Sequence, residues 1–424
     1  MTSHTRNPIQ PSRHSGRPKR QPGRPTWRGR DGSGDAGDGS GDAGDVSADA
    51  GDASGDAGDH SGDVRAISGD AGDHSADVRA ASADAGDASA IGVAGVVLIL
   101  APLVVLASVA GAITVGPSDL SVADVYGVVA DRAGLGSSDL TLLQQSIVWD
   151  LRLPRTLLAG ICGAGLAICG VILQSLLRNP LADPFVLGIS SGASTGAVSI
   201  VVLGVGAGTI GLSTGAFAGA LVSFALVLLL ASLAGGTTDR LVLAGIAATQ
   251  LFSALTSFIV FTAADAEQTR GVLFWLLGSL SSASWTDVLV CGVIVLGGLL
   301  CCVAGAGWLD AFAFGNDAAA SLGVDVGRIR AVLLVLTALM TAVIVSTSGA
   351  IGFVGLVLPH LARALVGPGH RLLLPATALL GAIFLIWVDT AARTVIDPEE
   401  LPVGVATALV GVPAFALVLM RARR

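Results

Sequence analysis

RLPRTLLAGICGAGLAICGVILQSLLRNPLADPFVLGISSGA, residues 152–193, opens with two arginines around a Leu-Pro pair and then runs about 22 apolar or small residues without a charge. The charge-free run stops at Arg178-Asn179-Pro180. About 20 apolar residues cover a hydrocarbon core of roughly 30 Å, so the middle of this stretch predicts a membrane-spanning helix. NPLADPFVLGISSGA then makes a turn-rich link into a second apolar segment. Arginine stands at both ends of the first span, so one basic end faces away from the cytoplasm. That runs against the usual Lys/Arg bias of membrane proteins and calls for a reason.

The rest of the chain agrees with this reading. Of 424 residues, 52% are hydrophobic and only 13% charged, 57 are glycine, and the mean hydropathy is +0.74. A soluble domain carries about 25% charge, so composition alone predicts a membrane protein embedded in lipid, and the succession of apolar runs makes it an all-α polytopic one. The net charge of -8 comes largely from an Asp-rich N-terminal tail, and the apolar part is close to balanced. Lys19 is the only lysine and lies in a Pro/Arg-rich segment. A G-x-x-x-x-G-K-[ST] phosphate loop is therefore excluded, and any ATP used must be bound by another subunit. Cys162, Cys169, Cys291, Cys301 and Cys302 sit in apolar runs without metal-ligand spacing, as small buried hydrophobes do. No metal, cofactor or nucleic-acid partner is expected.

Residues 1–90 read as a tail separate from a membrane domain over 91–424. The first 30 or so residues are basic and rich in Pro and Gly, and a seven-residue Asp-Ala-Gly-Asp-x-Ser-Gly repeat follows to about Ser89. No heptad position is consistently apolar, so a coiled coil has no seam, and nothing offsets the entropy of ordering. The tail is expected to be disordered. Calcium-binding nonapeptide repeats have a longer period and a regular apolar position that is absent here.

Apolar runs predict spans at 91–115, 152–177, 185–205, 210–234, 241–261, 285–304, 329–347, 351–366, 372–388 and 403–420, about ten in all. Residues 262–284 read as a loop with a short surface helix. With the N-terminus inside, the inner links hold Arg178, Arg240, Arg328, Arg330, Arg363, Arg371 and the C-terminal arginines, and the outer links hold Arg132, Arg152, Arg155, Arg270 and Arg393. The positive-inside rule then places both termini in the cytoplasm and leaves the outer arginines as candidates for function.

Glycines recur every four residues at Gly188, Gly192 and Gly196 and at Gly211, Gly215 and Gly219, a spacing that lets helices approach closely within one bundle. Residues 307–327 combine Asp310, Asn316, Asp317 and Asp325 with Leu309, Phe312, Phe314 and Leu322. Such an amphipathic segment suits docking on a soluble partner or lying on the membrane surface. His360 after Pro359 reads as part of a turn rather than a proton relay, since its nearest charge is Arg363. Asp389 and Arg393, four apart, could pair on one helix face, or Arg393 could point outward to a partner. No nucleophile–base pair stands out, which makes an enzyme a poor fit.

Together the opening stretch, RLVLAG at 240–245, FWLLGSL at 274–280, AFGNDAAASLGV at 313–324, GAIGFVGLVLPHLAR at 349–363 and DTAARTVIDPEELPVGVATALVGVPAFALVL at 389–419 resemble the FecCD-type permease family. Its members are the membrane subunits of ABC importers for iron-siderophores, haem and vitamin B12. The resemblance covers roughly residues 91–424. It implies a type II ABC importer permease fold in the cell membrane, a permease dimer, two separate ATP-binding cassette ATPase subunits and an extracytoplasmic substrate-binding protein. It further implies that Arg152, Arg155 and Arg393 receive acidic residues of that binding protein, which would account for the charge-rule exceptions. Charge reversal at Arg152 and Arg155 would then abolish docking. Leu309, Ala313, Phe314, Gly315, Asn316, Asp317, Leu322 and Gly323 match the coupling segment that meets the ATPase. There the family has an acidic pair where this chain has Asn316-Asp317. Thr237 and Thr238 match the inner gate, with the span 241–261 lining the path. The implied cargo is an iron(III)-siderophore, with cobalamin or haem as alternatives. An ion-coupled secondary transporter would need intramembrane acids that these spans almost lack.

Overall fold

The computed structural model describes residues 95, 99–116, 120–138, 140–204, 211–396 and 399–421. The tail expected over 1–90 lies outside the described residues. Every regular element among those described is helical. α1 (Ile99–Thr114) is followed by α2 (Val122–Arg132) and α3 (Leu142–Ser146), which runs through a π turn at Ile147–Arg152 into α4 (Leu153–Leu177). A 3-10 turn at Pro184–Leu187 leads to α5 (Ile189–Leu203), α6 (Leu212–Leu233), α7 (Thr238–Ala263), α8 (Ala266–Leu276) and α9 (Trp285–Ala304). Two short helices, α10 (Ala306–Ala313) and α11 (Asn316–Ser321), precede α12 (Val326–Ser348), α13 (Val354–Val366), α14 (His370–Ala392) and α15 (Val403–Arg421).

Six of these helices are long and apolar enough to cross a membrane, and α1, α5, α13 and α15 are shorter apolar helices, in keeping with the ten or so spans read from the sequence. The α3–α4 span is the centre of the bundle. Some 83% of its apolar window is buried within the chain, against 28% for α9 and 33% for α6 and α7. Glycine is what admits neighbours so closely to α4. A Cβ on Gly163 would enter the Gly381 carbonyl of α14, and one on Gly170 would enter the Gly355 carbonyl of α13. The four-residue glycine spacing works within the bundle too: Gly192 and Gly196 of α5 meet the Gly219 and Gly215 backbone of α6.

Two stretches, 185–205 and 307–327, differ from the sequence expectation. The span expected over 185–205 is broken at its start. Asp183 Oδ1 accepts the Phe185 N–H at 2.9 Å and caps a 3-10 turn, and Gly188, at φ 70°, redirects the chain into α5. The polar residues 116–150 contain α2 and α3, each opened by a capping box, Ser121 with Asp124 and Thr141 with Gln144. The segment 307–327 is two helices rather than one amphipathic run. α13 is short and carries Pro359, which has no N–H for the Gly355 carbonyl one turn back. Gln174 of α4 fills that gap, donating from Nε2 to the Gly355 and Leu356 carbonyls at 3.3 and 3.4 Å.

Candidate functional site: the two ends of the α4–α14 pair

α4 has 25 residues, about 37 Å at 1.5 Å per residue, and α14 packs against it in the opposite direction. The start of α4 therefore lies beside the end of α14, and the two opposite ends of the pair hold nearly all the candidate residues.

At the first end, Pro154 lacks the N–H that would continue the helical ladder. The chain widens into the π turn, in which the Leu153 N–H reaches back to the Val148 carbonyl. That turn directs Arg152 inward. The residue is only 8% exposed, and its Nη1 donates to the Ile113 carbonyl at 2.7 Å. Arg393, just past α14, donates from Nη2 to the neighbouring Ala112 carbonyl and to Thr390 Oγ1 at 3.4 Å. The last carbonyls of a helix have no partners of their own, and a cation there also complements the helix dipole. Two arginines thus cap the end of α1. Arg155 makes a fork: Nε and Nη2 contact Asp389 at 3.1 and 3.0 Å, and Nη1 contacts Glu400 at 2.9 Å. The Arg155 side chain is 11% exposed, Asp389 2% and Glu400 39%. Burial pushes the Arg393 guanidinium below its usual pKa, with Asp389 opposing and Arg155 and Arg152 adding to the shift. Its Nε is buried without a hydrogen-bond partner.

The three arginines expected as docking charges thus converge, and each is engaged inside the chain. Arg152 is buried and Arg393 half-buried. The ion-pair partner of Asp389 is Arg155, across the helix pair, and not Arg393 on its own helix. Trp149 and Trp285 stack beside this end with ring centroids 4.9 Å apart, and Arg132 lies 5.6 Å over the Trp149 ring.

At the opposite end, the eight residues assigned to the coupling segment divide by exposure. Leu309 is fully buried and Gly315 buried, so these two hold the segment from beneath. Gly315 joins α10 to α11 at φ 110°, a left-handed conformation that favours glycine, and a Cβ there would stand 3.2 Å from the movable tip of Arg178. Asn316 accepts from Arg330 Nη2 at 2.9 Å, a hydrogen bond where an acid would have made an ion pair. Ala313, Phe314, Asp317, Leu322 and Gly323 are exposed, Phe314 at 80% and Leu322 at 71%. Thr237 caps the start of α7 by position and Thr238 is its first residue; both line a crevice of about 380 Å³ with Leu176, Leu241 and Arg330.

One junction here escaped the sequence. His370, the first residue of α14, places Nδ1 2.6 Å from Asp310 Oδ1 of α10 and Nε2 2.6 Å from Ser175 Oγ of α4. A hydroxyl thus meets an imidazole where no nucleophile–base pair stood out in the sequence. Ser175 and His370 lie 195 residues apart, and no local pattern links them. The arrangement is unsuited to nucleophilic catalysis. Ser175 is 7% exposed, and its Oγ lies 3.0 Å from the Val171 carbonyl as well as 2.6 Å from Nε2, so the hydroxyl is held inside the helix pair. His360 lies inside α13 and not in the turn expected of it, with Nδ1 3.0 Å from the Leu356 carbonyl and its ring edge-on to Phe415. Among the described residues no group of three or more potential metal ligands occurs.

The sequence profile of the FecCD transport family matches residues 102–421. The chain belongs to the FecCD transport family. This FecCD chain is 44% identical to the cobalamin import system permease protein of Halobacterium salinarum, over 66% of its own length and 74% of that protein's. It is 40% identical to the hemin transport system permease protein of Yersinia pestis (65% and 84% of the two chains). With the Fe(3+)-citrate import system permease protein of Bacillus subtilis it shares 34% identity (73% and 90%). A solved structure described as an inward-facing conformation of a metal-chelate type ABC transporter superposes with a TM-score of 0.67 at 31% identity, covering 76% of this chain and 98% of that one. The fold is that of a polytopic ABC importer permease.

Proposed function

We propose that this chain is the membrane permease of an ABC importer that carries an iron(III)-siderophore, or a similar metal chelate, into the cell. The observation that carries the reading is the two-ended site: a cluster of arginines at one end of α4 and α14, and an exposed apolar segment on α10 and α11 at the other. The arginine end faces outward and meets acidic side chains of a substrate-binding protein, where charge favours register and encounter rate more than affinity. Arg155, already held by the half-exposed Glu400, is the most direct point of contact. The opposite end faces the cytoplasm, with both termini, and offers Phe314 and Leu322 to a separate ATPase subunit. A second copy of the chain completes the pathway, with α7 lining it and Thr237 and Thr238 at its inner mouth. The weakly buried faces of α6, α7 and α9 are free to meet lipid or that copy.

ATP-driven closure of the ATPase pair then alternates the permease pair between outward and inward openings. Transport is coupled because ATP and cargo each favour one state over the other. The ferric reading draws support from relatives named for hemin and Fe(3+)-citrate; cobalamin is the second reading, favoured by the 44% identical relative.

Proteoliposomes holding the permease with its ATPase and binding protein test this. Radiolabelled ferric siderophore should accumulate with ATP, and labelled cobalamin should not. Preferential cobalamin uptake would move the assignment to the second reading. Uptake that needs no ATP and collapses with an ionophore would replace it with an ion-coupled carrier.

A further inference from the structure

We infer that Asp310, His370 and Ser175 form a clasp that fixes the ATPase-facing segment to the α4–α14 pair, so that displacement of the segment moves both helices; this rests on the permease reading above. Three elements meet at one imidazole. His370 Nδ1 and Nε2 each lie 2.6 Å from their partners, Asp310 on α10 and Ser175 near the end of α4. Asp310 Oδ1 also accepts the His370 backbone N–H at 3.0 Å. That bond answers a local need. The residue before α14 is Gly369, which has no side chain to cap the helix. α10 supplies the missing acceptor, and a carboxylate at a helix N-terminus is favoured by the dipole.

The geometry also separates holding from positioning. α10 has eight residues, too few to persist alone, and it is kept down by the buried Leu309 and Phe312. Apolar burial is non-directional and leaves a short helix able to slide or rotate. The bonds to His370 are directional and specify one register. The ring and Ser175 are buried, at 4% and 7% exposure, where low local dielectric strengthens such bonds. Asp310 keeps about 45% of its side chain exposed, so the carboxylate is not stranded.

The clasped helices are the same two that Arg155 and Asp389 join at the other end and that Gly163 and Gly381 bring into backbone contact between. A pair fastened at both ends and packed between has little freedom to shear. A push on α10 is therefore delivered to α4 and α14 as a unit. Asp310, His370 and Ser175 are positioning residues in this scheme.

The test compares uptake per ATP hydrolysed for His370→Ala, Asp310→Ala and Asp310→Asn in the permease–ATPase–binding-protein complex. Losing a charge-assisted bond should lower the ratio about tenfold in the two alanine variants, while the ATPase still co-purifies and hydrolyses ATP. Asp310→Asn keeps an acceptor for the His370 N–H and should recover most of the ratio. Ratios within about twofold of wild type in both alanine variants would overturn the clasp. Hydrogen exchange on the permease alone gives a readout independent of transport. In Asp310→Ala the α10 amides should exchange about tenfold faster with α5 and α6 unchanged, and equal exchange in α10 would overturn the clasp. A wild-type complex without ATP-driven uptake would sink the permease reading, and the exchange measurement would still decide the clasp.

Discussion

At the arginine end of the α4–α14 pair, the cationic side chains are answered inside the chain, by helix carbonyls or by Asp389 and Glu400. At the opposite end two large apolar side chains, Phe314 and Leu322, stand exposed on short helices. A partner arriving at the first end competes with bonds already made, which suits an encounter that must also release. A partner at the second displaces only water from apolar surface, which suits a lasting contact. On the proposed reading, one helix pair would carry an exchangeable contact at one end and a standing one at the other.

Neutralising the arginine end should have the largest effect. Arg155→Met leaves Asp389 buried beside a hydrophobe and should cost about 3–5 kcal/mol, read as a lower thermal unfolding temperature in detergent. Adding Asp389→Leu should recover most of the loss, because the pair is then removed together. A single variant as stable as wild type would mean that water reaches Asp389. Phe312→Ala at the other end should cost a similar amount, about 3–5 kcal/mol, through the cavity left by a fully buried ring. The middle of the pair comes next. Gly163→Ala drives a methyl into the Gly381 carbonyl, and an expected cost of about 1–3 kcal/mol would appear as lower yield and stability. An unchanged yield and unfolding temperature would show that α4 and α14 can separate without penalty.

Glu400→Gln probes the exchangeable contact itself. Glu400 is 39% exposed, so its ion pair with Arg155 should contribute only about 0–1 kcal/mol to stability. With the internal carboxylate neutralised, an acidic partner should associate faster, most visibly at low salt. Slower association would show that Glu400 helps the encounter instead of competing with it. This variant separates docking from folding, which charge reversal at Arg152 and Arg155 does not, since both arginines hold the fold together.

The spans were legible in the sequence because each is a local property, a run of apolar residues long enough for a bilayer. The glycine seams were legible for the same reason, as a four-residue spacing on one helix. The arginine cluster was visible as an exception to a charge rule, yet its internal partners were not. Ile113 and Ala112 offer only backbone carbonyls, and Asp389 lies 234 residues from Arg155. The same holds for Ser175, His370 and Asp310, whose residue types are ordinary and whose meeting depends on how α4, α10 and α14 pack. The coupling segment was read as one amphipathic run. Only its folding at Gly315 shows that Leu309 faces the bundle while Phe314 faces away.

Phe314 gives the smallest stability effect and, set against Phe312, the sharpest distinction. Two residues apart on the same short segment, one ring is 1% exposed and the other 80%. Phe314→Ala and Leu322→Ala remove surface that the folded chain leaves in water, so each should change stability by no more than about 0.5 kcal/mol. Their effect belongs to the partner. An exposed aromatic anchor of an interface costs at least about 2 kcal/mol of binding when truncated, so the ATPase should co-purify poorly with Phe314→Ala. Phe312→Ala should fail earlier, as a poorly folded permease, and the two losses are separable by unfolding temperature. If Phe314→Ala binds the ATPase as wild type does, the standing contact lies elsewhere, and the exposed segment is a surface for lipid.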